Sequence, residues 1–124
     1  MTVHRLIFVL DCADPIALAP FWAEAMGYRA EGRGDPYVVL IPEAANASWP
    51  EILLQRVPEP KVAKNRMHLD FRVDDLDGEV ERLLALGATR VTDEPFDEDG
   101  YRWHVLTDPE GNEFCVVTEP RGTR

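Results

Sequence analysis

His68, Asp70 and Arg72 alternate with Leu69, Phe71 and Val73 in the run Arg66 to Val73. Successive side chains of a strand point to opposite faces, so an imidazole, a carboxylate and a guanidinium share one face and three apolar groups share the other. Histidine exchanges protons close to neutral pH, and a neighbouring carboxylate orients and polarises it, so His68 and Asp70 are the candidate catalytic pair. Gln55, Arg72 and Cys115 are expected on the same lining, with Trp49 and Trp103 as walls for a substrate. A plainer reading stands beside this one. An antiparallel sheet can leave one face wet, His68 can be a strand histidine bonded to Asp70 or Gln55, and Cys115 can be a small buried hydrophobe whose reactivity would need a positive neighbour such as Arg72.

The elements that must position these residues follow from periodicity and punctuation. Residues 3 to 12 form an apolar, β-branched run ending at an Asp-Pro pair, which predicts a strand. Asp14 is placed to cap a helix with Pro15 in its first turn, Leu18, Phe21, Trp22 and Ala25 recur at helical spacing, and Gly27 supplies the stop. Pro20 removes a backbone donor inside that helix and predicts a kink or a late start. Strands follow at Tyr28 to Glu31, Tyr37 to Ile41 and Glu51 to Val57, with a loop from 42 to 50 anchored by Trp49.

After the linker-like stretch from Pro58 to Asn65 the order starts again. A strand at Arg66 to Val73 leads to a helix capped by Asp75, with Leu76, Val80, Leu83 and Leu84 on one face and Gly87 as its stop. Strands at Thr89 to Thr92, Tyr101 to Thr107 and Asn112 to Thr118 complete it, the last two joined by the turn Asp108-Pro109-Glu110-Gly111. The two cap aspartates are 61 residues apart and the two stop glycines 60. The expectation is an α+β chain of two βαβββ modules, residues 1–58 and 65–120, in a single domain. Each helix can cover only one sheet face, so eight short strands are expected to curve around something.

Several smaller features have bland readings. Tyr101 and Trp103 alternate with Arg102 and His104, and the pattern does not decide which pair faces inward. Arg33-Gly34-Asp35 reads as a hairpin turn, and Arg56, Lys61, Lys64 and Arg66 as a solvated basic edge. Asp93 to Asp99 reads as a solvated acidic loop whose Phe96 could cover a cavity mouth.

Composition narrows the function. The chain has 124 residues and a formal net charge of -10, which opposes approach to phosphate backbones and anionic lipid. No nucleic-acid or membrane partner is expected. Two cysteines are too few for a disulfide framework, and Leu6 to Leu10 is too short for a signal-peptide core, so a soluble, cytoplasmic protein is expected.

The duplicated pattern, with Asp14-Pro15, Ala19-Pro20-Phe21-Trp22, Gly27-Tyr28, His68-Leu69-Asp70, Leu86-Gly87-Ala88-Thr89 and Asp108-Pro109-Glu110-Gly111-Asn112-Glu113-Phe114, resembles the vicinal oxygen chelate superfamily. That group includes glyoxalase I, bleomycin-resistance proteins and extradiol dioxygenases. The chain looks most like its short actinobacterial glyoxalase-like members. The resemblance implies a curved, mostly antiparallel eight-stranded sheet around a cavity, and a homodimer. It also implies a divalent metal held from the first and last strand of each half, acting as a Lewis acid. Those positions fall on Ile7, Gln55, His68 and Cys115. Ile7 cannot bind metal, so no metal is favoured, and His68, Gln55 and Cys115 would hold one if present. The leading expectation is a protein that binds a small organic molecule without the full ligand set. The alternatives are a metal-dependent lyase, isomerase or dioxygenase, and a non-catalytic interaction module.

Overall fold

The computed structural model describes residues 5–120, and these fall into two units, one ending at Lys61 and one starting at Val62. In the first, β1 (Phe8–Cys12), α1 (Pro15–Met26), β2 (Tyr28–Gly34), β3 (Tyr37–Pro42) and β4 (Ile52–Arg56) build a sheet of order β1-β4-β3-β2. The pair β1 and β4 is parallel and the others antiparallel. Residues 3 and 4 of the expected first strand lie outside the described residues, and pairing begins only at Phe8.

The first helix starts where its cap dictates. The Asp14 side chain accepts the Ala17 N–H at 3.1 Å, Pro15 needs no donor in the first turn, and Gly27 ends the helix in the left-handed region at φ 70°. The late start expected from Pro20 does not occur: α1 begins at Pro15 and runs through Pro20, which is exposed. Leu18, Phe21 and Trp22 pack towards Val38, Leu40, Ile52 and Leu54, all 5% exposed or less. Each such aliphatic side chain contributes about 1.5–3 kcal/mol of transfer free energy. On the opposite face the register aligns Val9, Leu53 and Val39 in one row and Asp11, Gln55 and Tyr37 in the next. The loop after β3 contains a single 3-10 turn, Ala44–Asn46, and Trp49 sets its ring 6.4 Å from that of Tyr28, whose hydroxyl donates to the Pro50 carbonyl at 2.7 Å.

The second unit repeats the topology. Here β5 (Asp70–Arg72), α2 (Leu76–Leu86), β6 (Thr89–Arg90), β8 (Tyr101–Thr107) and β9 (Glu113–Thr118) give the order β5-β9-β8-β6. Asp75 caps α2 through the Gly78 N–H at 3.1 Å. Leu76, Val80, Leu83, Leu106, Phe114 and Val116 form the core. An added strand, β7 (Phe96–Glu98), pairs with β8 inside the segment expected to be a solvated loop, so the described residues contain nine strands in two mixed sheets. Both modules are thus α+β, and no described helix is long and apolar enough to cross a membrane.

Two local features matter for the site. The buried Asp108 carboxylate accepts the Glu110 N–H at 2.8 Å, the Asn112 N–H at 2.9 Å and the Asn112 amide at 2.9 Å, which fixes the turn between β8 and β9. The strand expected over Arg66 to Val73 is far shorter. Asn65 is pinned to Glu113 by its backbone N–H at 2.9 Å and its side-chain amide at 3.3 Å, and Cys115 N–H next donates to Leu69 O. Residues 66–68 must loop out between those two anchors, and Met67 is 87% exposed.

Candidate functional site

The faces of β5 fall as the alternation predicts. Leu69, Phe71 and Val73 are half-buried while His68, Asp70 and Arg72 are exposed. The register then assembles a surface: Phe96, Trp103, Val117 and Arg72 form a row across β7, β8, β9 and β5, and Val105, Cys115 and Asp70 form the next. Tyr101 and Trp103 lie on this face, whereas His104 and Leu106 are buried on the other. This settles the alternation that the sequence left undecided. A depression of about 370 Å³ results, with an ionic strip along β5, an apolar floor on β9 and aromatic walls on β8.

The ionic strip is continuous. His68 Nε2 is 3.4 Å from Asp70 Oδ1, Asp70 Oδ2 is 3.4 Å from Arg72 Nη2, and Arg72 Nη1 donates to Glu119 at 2.7 Å. The Arg72 guanidinium also lies 5.7 Å from the Tyr101 ring centre. Trp103 is held by Phe96, with ring centres 5.4 Å apart and planes 22° from parallel. Burial pushes the Cys115 thiol up from its ordinary range, and the adjacent Asp70 carboxylate adds to this through its charge and a hydrogen bond, while Lys64 opposes it. The positive neighbour that would activate Cys115 is therefore outweighed, and the thiol is held protonated.

Of the residues singled out in the sequence, His68, Asp70, Arg72, Trp103 and Cys115 come together here. Gln55 and Trp49 belong to the first unit. Ile7, just before β1, is 39% exposed. Donor atoms of His68, Asp70 and Cys115 lie within 4.8 Å of one another, so Asp70 stands in the trio where Gln55 was expected. Lys64, Tyr101 and Val117 also line the depression. The period-2 signal could have supplied Tyr101 and Val117, two positions from Trp103 and Cys115, whereas Lys64 had only linker composition around it.

A larger hollow of about 560 Å³ lies in the first unit between α1, β2 and β3, lined by Ile16, Ala19, Pro20, Ala23, Tyr28 and Arg29 among others. Its lining holds no imidazole or thiol, and Arg29 is engaged by Glu31.

A βαβββ unit repeated in one chain is the architecture of the glyoxalase/bleomycin-resistance/dioxygenase class of fold. The chain belongs to the family described as Glyoxalase-like domain, whose model matches residues 7–117. Solved structures agree on the fold. A glyoxalase/bleomycin resistance protein/dioxygenase family enzyme from Burkholderia phytofirmans has a TM-score of 0.71 at 20% identity, covering 90% of this chain and 95% of that one. A protein from Agrobacterium tumefaciens reaches 0.75 at 18% identity over 95% and 98% of the two chains. A glyoxalase-related enzyme from Fulvimarina pelagi reaches 0.70 at 15% identity over 96% and 89%. The curated proteins contain no match. The resemblance to the vicinal oxygen chelate superfamily is borne out.

Proposed function

We propose that this glyoxalase-like protein binds a small organic molecule on the open face of its second sheet, with His68 and Asp70 as the working polar pair and Arg72 and Trp103 as binding residues. The observation that carries the reading is the depression of about 370 Å³, which joins a charged strip to an aromatic wall and falls in the size range of small-molecule sites. Asp70 beside Nε2 favours the tautomer protonated there, leaving Nδ1 of His68 to accept a proton from a bound molecule. The test is a thermal-shift screen of small organic acids and aromatics. A compound that raises Tm in the wild type and not in His68→Ala supports the reading, and a screen without such a compound favours a non-catalytic interaction module.

One observation supports a second reading, that of a metal-dependent enzyme. His68, Asp70 and Cys115 offer one imidazole, one carboxylate and one thiolate, a set suited in type to a zinc-class ion with water completing the shell. Such an ion, when bound, would supply Lewis-acid polarisation of a substrate oxygen. The three donors lie within 4.8 Å of one another, and the thiol would have to lose a proton that its surroundings hold. Metal content of untagged protein decides it: about one equivalent of a transition metal, lost in His68→Ala, would replace the metal-free account. A homodimer is proposed on the family likeness alone, and a monomer at micromolar concentration in sizing experiments would refute it.

A further inference from the structure

Resting on the proposed ligand site in the second unit, we infer that its ligand is a planar, conjugated organic anion such as an aromatic carboxylate, lying across the strands with its ring over Trp103 and its charge at Lys64. Three observations converge on this class. The first is direction. Across β8, β9 and β5 the lining changes from aromatic at Trp103 to apolar at Val117 to ionic, so the matching molecule has a flat apolar end and a polar end.

The second is flatness. Trp103 stacks on Phe96, and β7 holds Phe96 in register beside it, so the indole is fixed in place as a wall rather than free to fold over a bulky guest. The floor under it is the half-buried and buried pair Val105 and Val117. A thin aromatic body gains most from such a surface.

The third is charge. Arg72 is neutralised by Glu119 and Asp70, and Asp70 is shared with His68, so the strip along β5 is closed on itself. Lys64 is the cation of the lining that has no carboxylate partner among the described residues. It lines the depression next to Asn65, which is bonded to Glu113 at the start of β9, so its charge lies at that end, two residues along the strand from Cys115. An anionic head group there completes an ion pair that the protein leaves open. A cationic head would meet Lys64 in repulsion and would have to compete with Arg72 for Asp70 and Glu119.

The experiment titrates the whole chain by ligand-observed NMR with four probes: 2-naphthoate, 2-naphthalenemethanol, 2-naphthylmethylammonium and the saturated decalin-2-carboxylate. Naphthoate is expected to bind about threefold to fivefold more tightly than the alcohol, the upper range of an exposed ion pair, and more tightly than the ammonium or the non-planar acid. Lys64→Gln, an exposed substitution, should erase the difference between naphthoate and alcohol, and Trp103→Ala should weaken both. Equal binding of alcohol and naphthoate, or a difference that survives Lys64→Gln, overturns the assignment of charge. Decalin carboxylate matching naphthoate overturns the assignment of shape. In either case a Trp103-dependent complex would leave the ligand site itself standing, whereas absence of any Trp103-dependent binding would remove this inference and leave the site to its own screen.

Discussion

Asp70 and Cys115 stand opposite each other in the parallel pairing of β5 with β9, and the charge of the carboxylate acts on the thiol. That relationship ties the exposed ionic strip to the buried floor of the depression. It also explains why a cysteine at the edge of a candidate site is quiet: burial first, and then the neighbouring negative charge, disfavour the thiolate.

Asp70→Asn should therefore make Cys115 more reactive. Removing the negative charge favours the thiolate, so alkylation by iodoacetamide at pH 8 should speed up relative to the parent, both measured in a Cys12→Ser background by mass spectrometry. A rate that is unchanged or slower would show that Asp70 does not govern the thiol.

The turn that delivers β9 depends on one carboxylate. Asp108 is 2% exposed and accepts three hydrogen bonds from Glu110 and Asn112. Asp108→Ala should cost about 2–3 kcal/mol, since buried donors are left unpaired, with urea denaturation as the measurement. A loss below about 0.5 kcal/mol, the size of an ordinary surface change, would contradict the arrangement.

A dependence on pH should come from His104, which is 4% exposed with its Nδ1 unpaired, and whose pKa is lowered by burial and then by Arg90. The folded state resists protonation, so the unfolded chain binds more protons once pH falls below the ordinary histidine value near 6.5. Stability should be insensitive to this group above that pH and should decline below it, down to the depressed folded value. Urea unfolding of the wild type and His104→Phe at pH 7 and pH 5 checks the sign, because the wild type should lose more between the two.

Leu83 in α2 is fully buried against the second sheet, and Leu83→Ala should cost about 2–5 kcal/mol. Arg72→Ala, by contrast, removes exposed ion pairs worth about 0–1 kcal/mol and should leave Tm nearly unchanged while weakening ligand binding. A large loss of stability in Arg72→Ala would mean that the strip serves the fold rather than a ligand.

Helices were legible from local chemistry. Asp14, Asp75, Gly27 and Gly87 act within their own turns, so spacing alone located both helices and the duplication. Strand length was less legible, because it depends on distant partners: the Asn65–Glu113 bonds come before a late start of β5 and leave 66–68 to loop outward, and no pattern within Arg66 to Val73 records that. The strand at Phe96 was hidden for the same reason, since the acidic residues around it read as loop until Trp103 pairs with it. Pro20 misled, since α1 runs through it. At the site, alternation placed His68, Asp70 and Arg72 correctly, whereas Lys64 enters only because the chain is pinned at Asn65 beside it.

The most direct test of the ligand site is amide NMR mapping of the isotope-labelled chain with an organic acid that raises its Tm. The account predicts shift changes concentrated at His68, Asp70, Arg72, Trp103 and Val117, and their loss in His68→Ala. Changes confined to the hollow beside α1, or scattered over the surface and indifferent to His68→Ala, would contradict it.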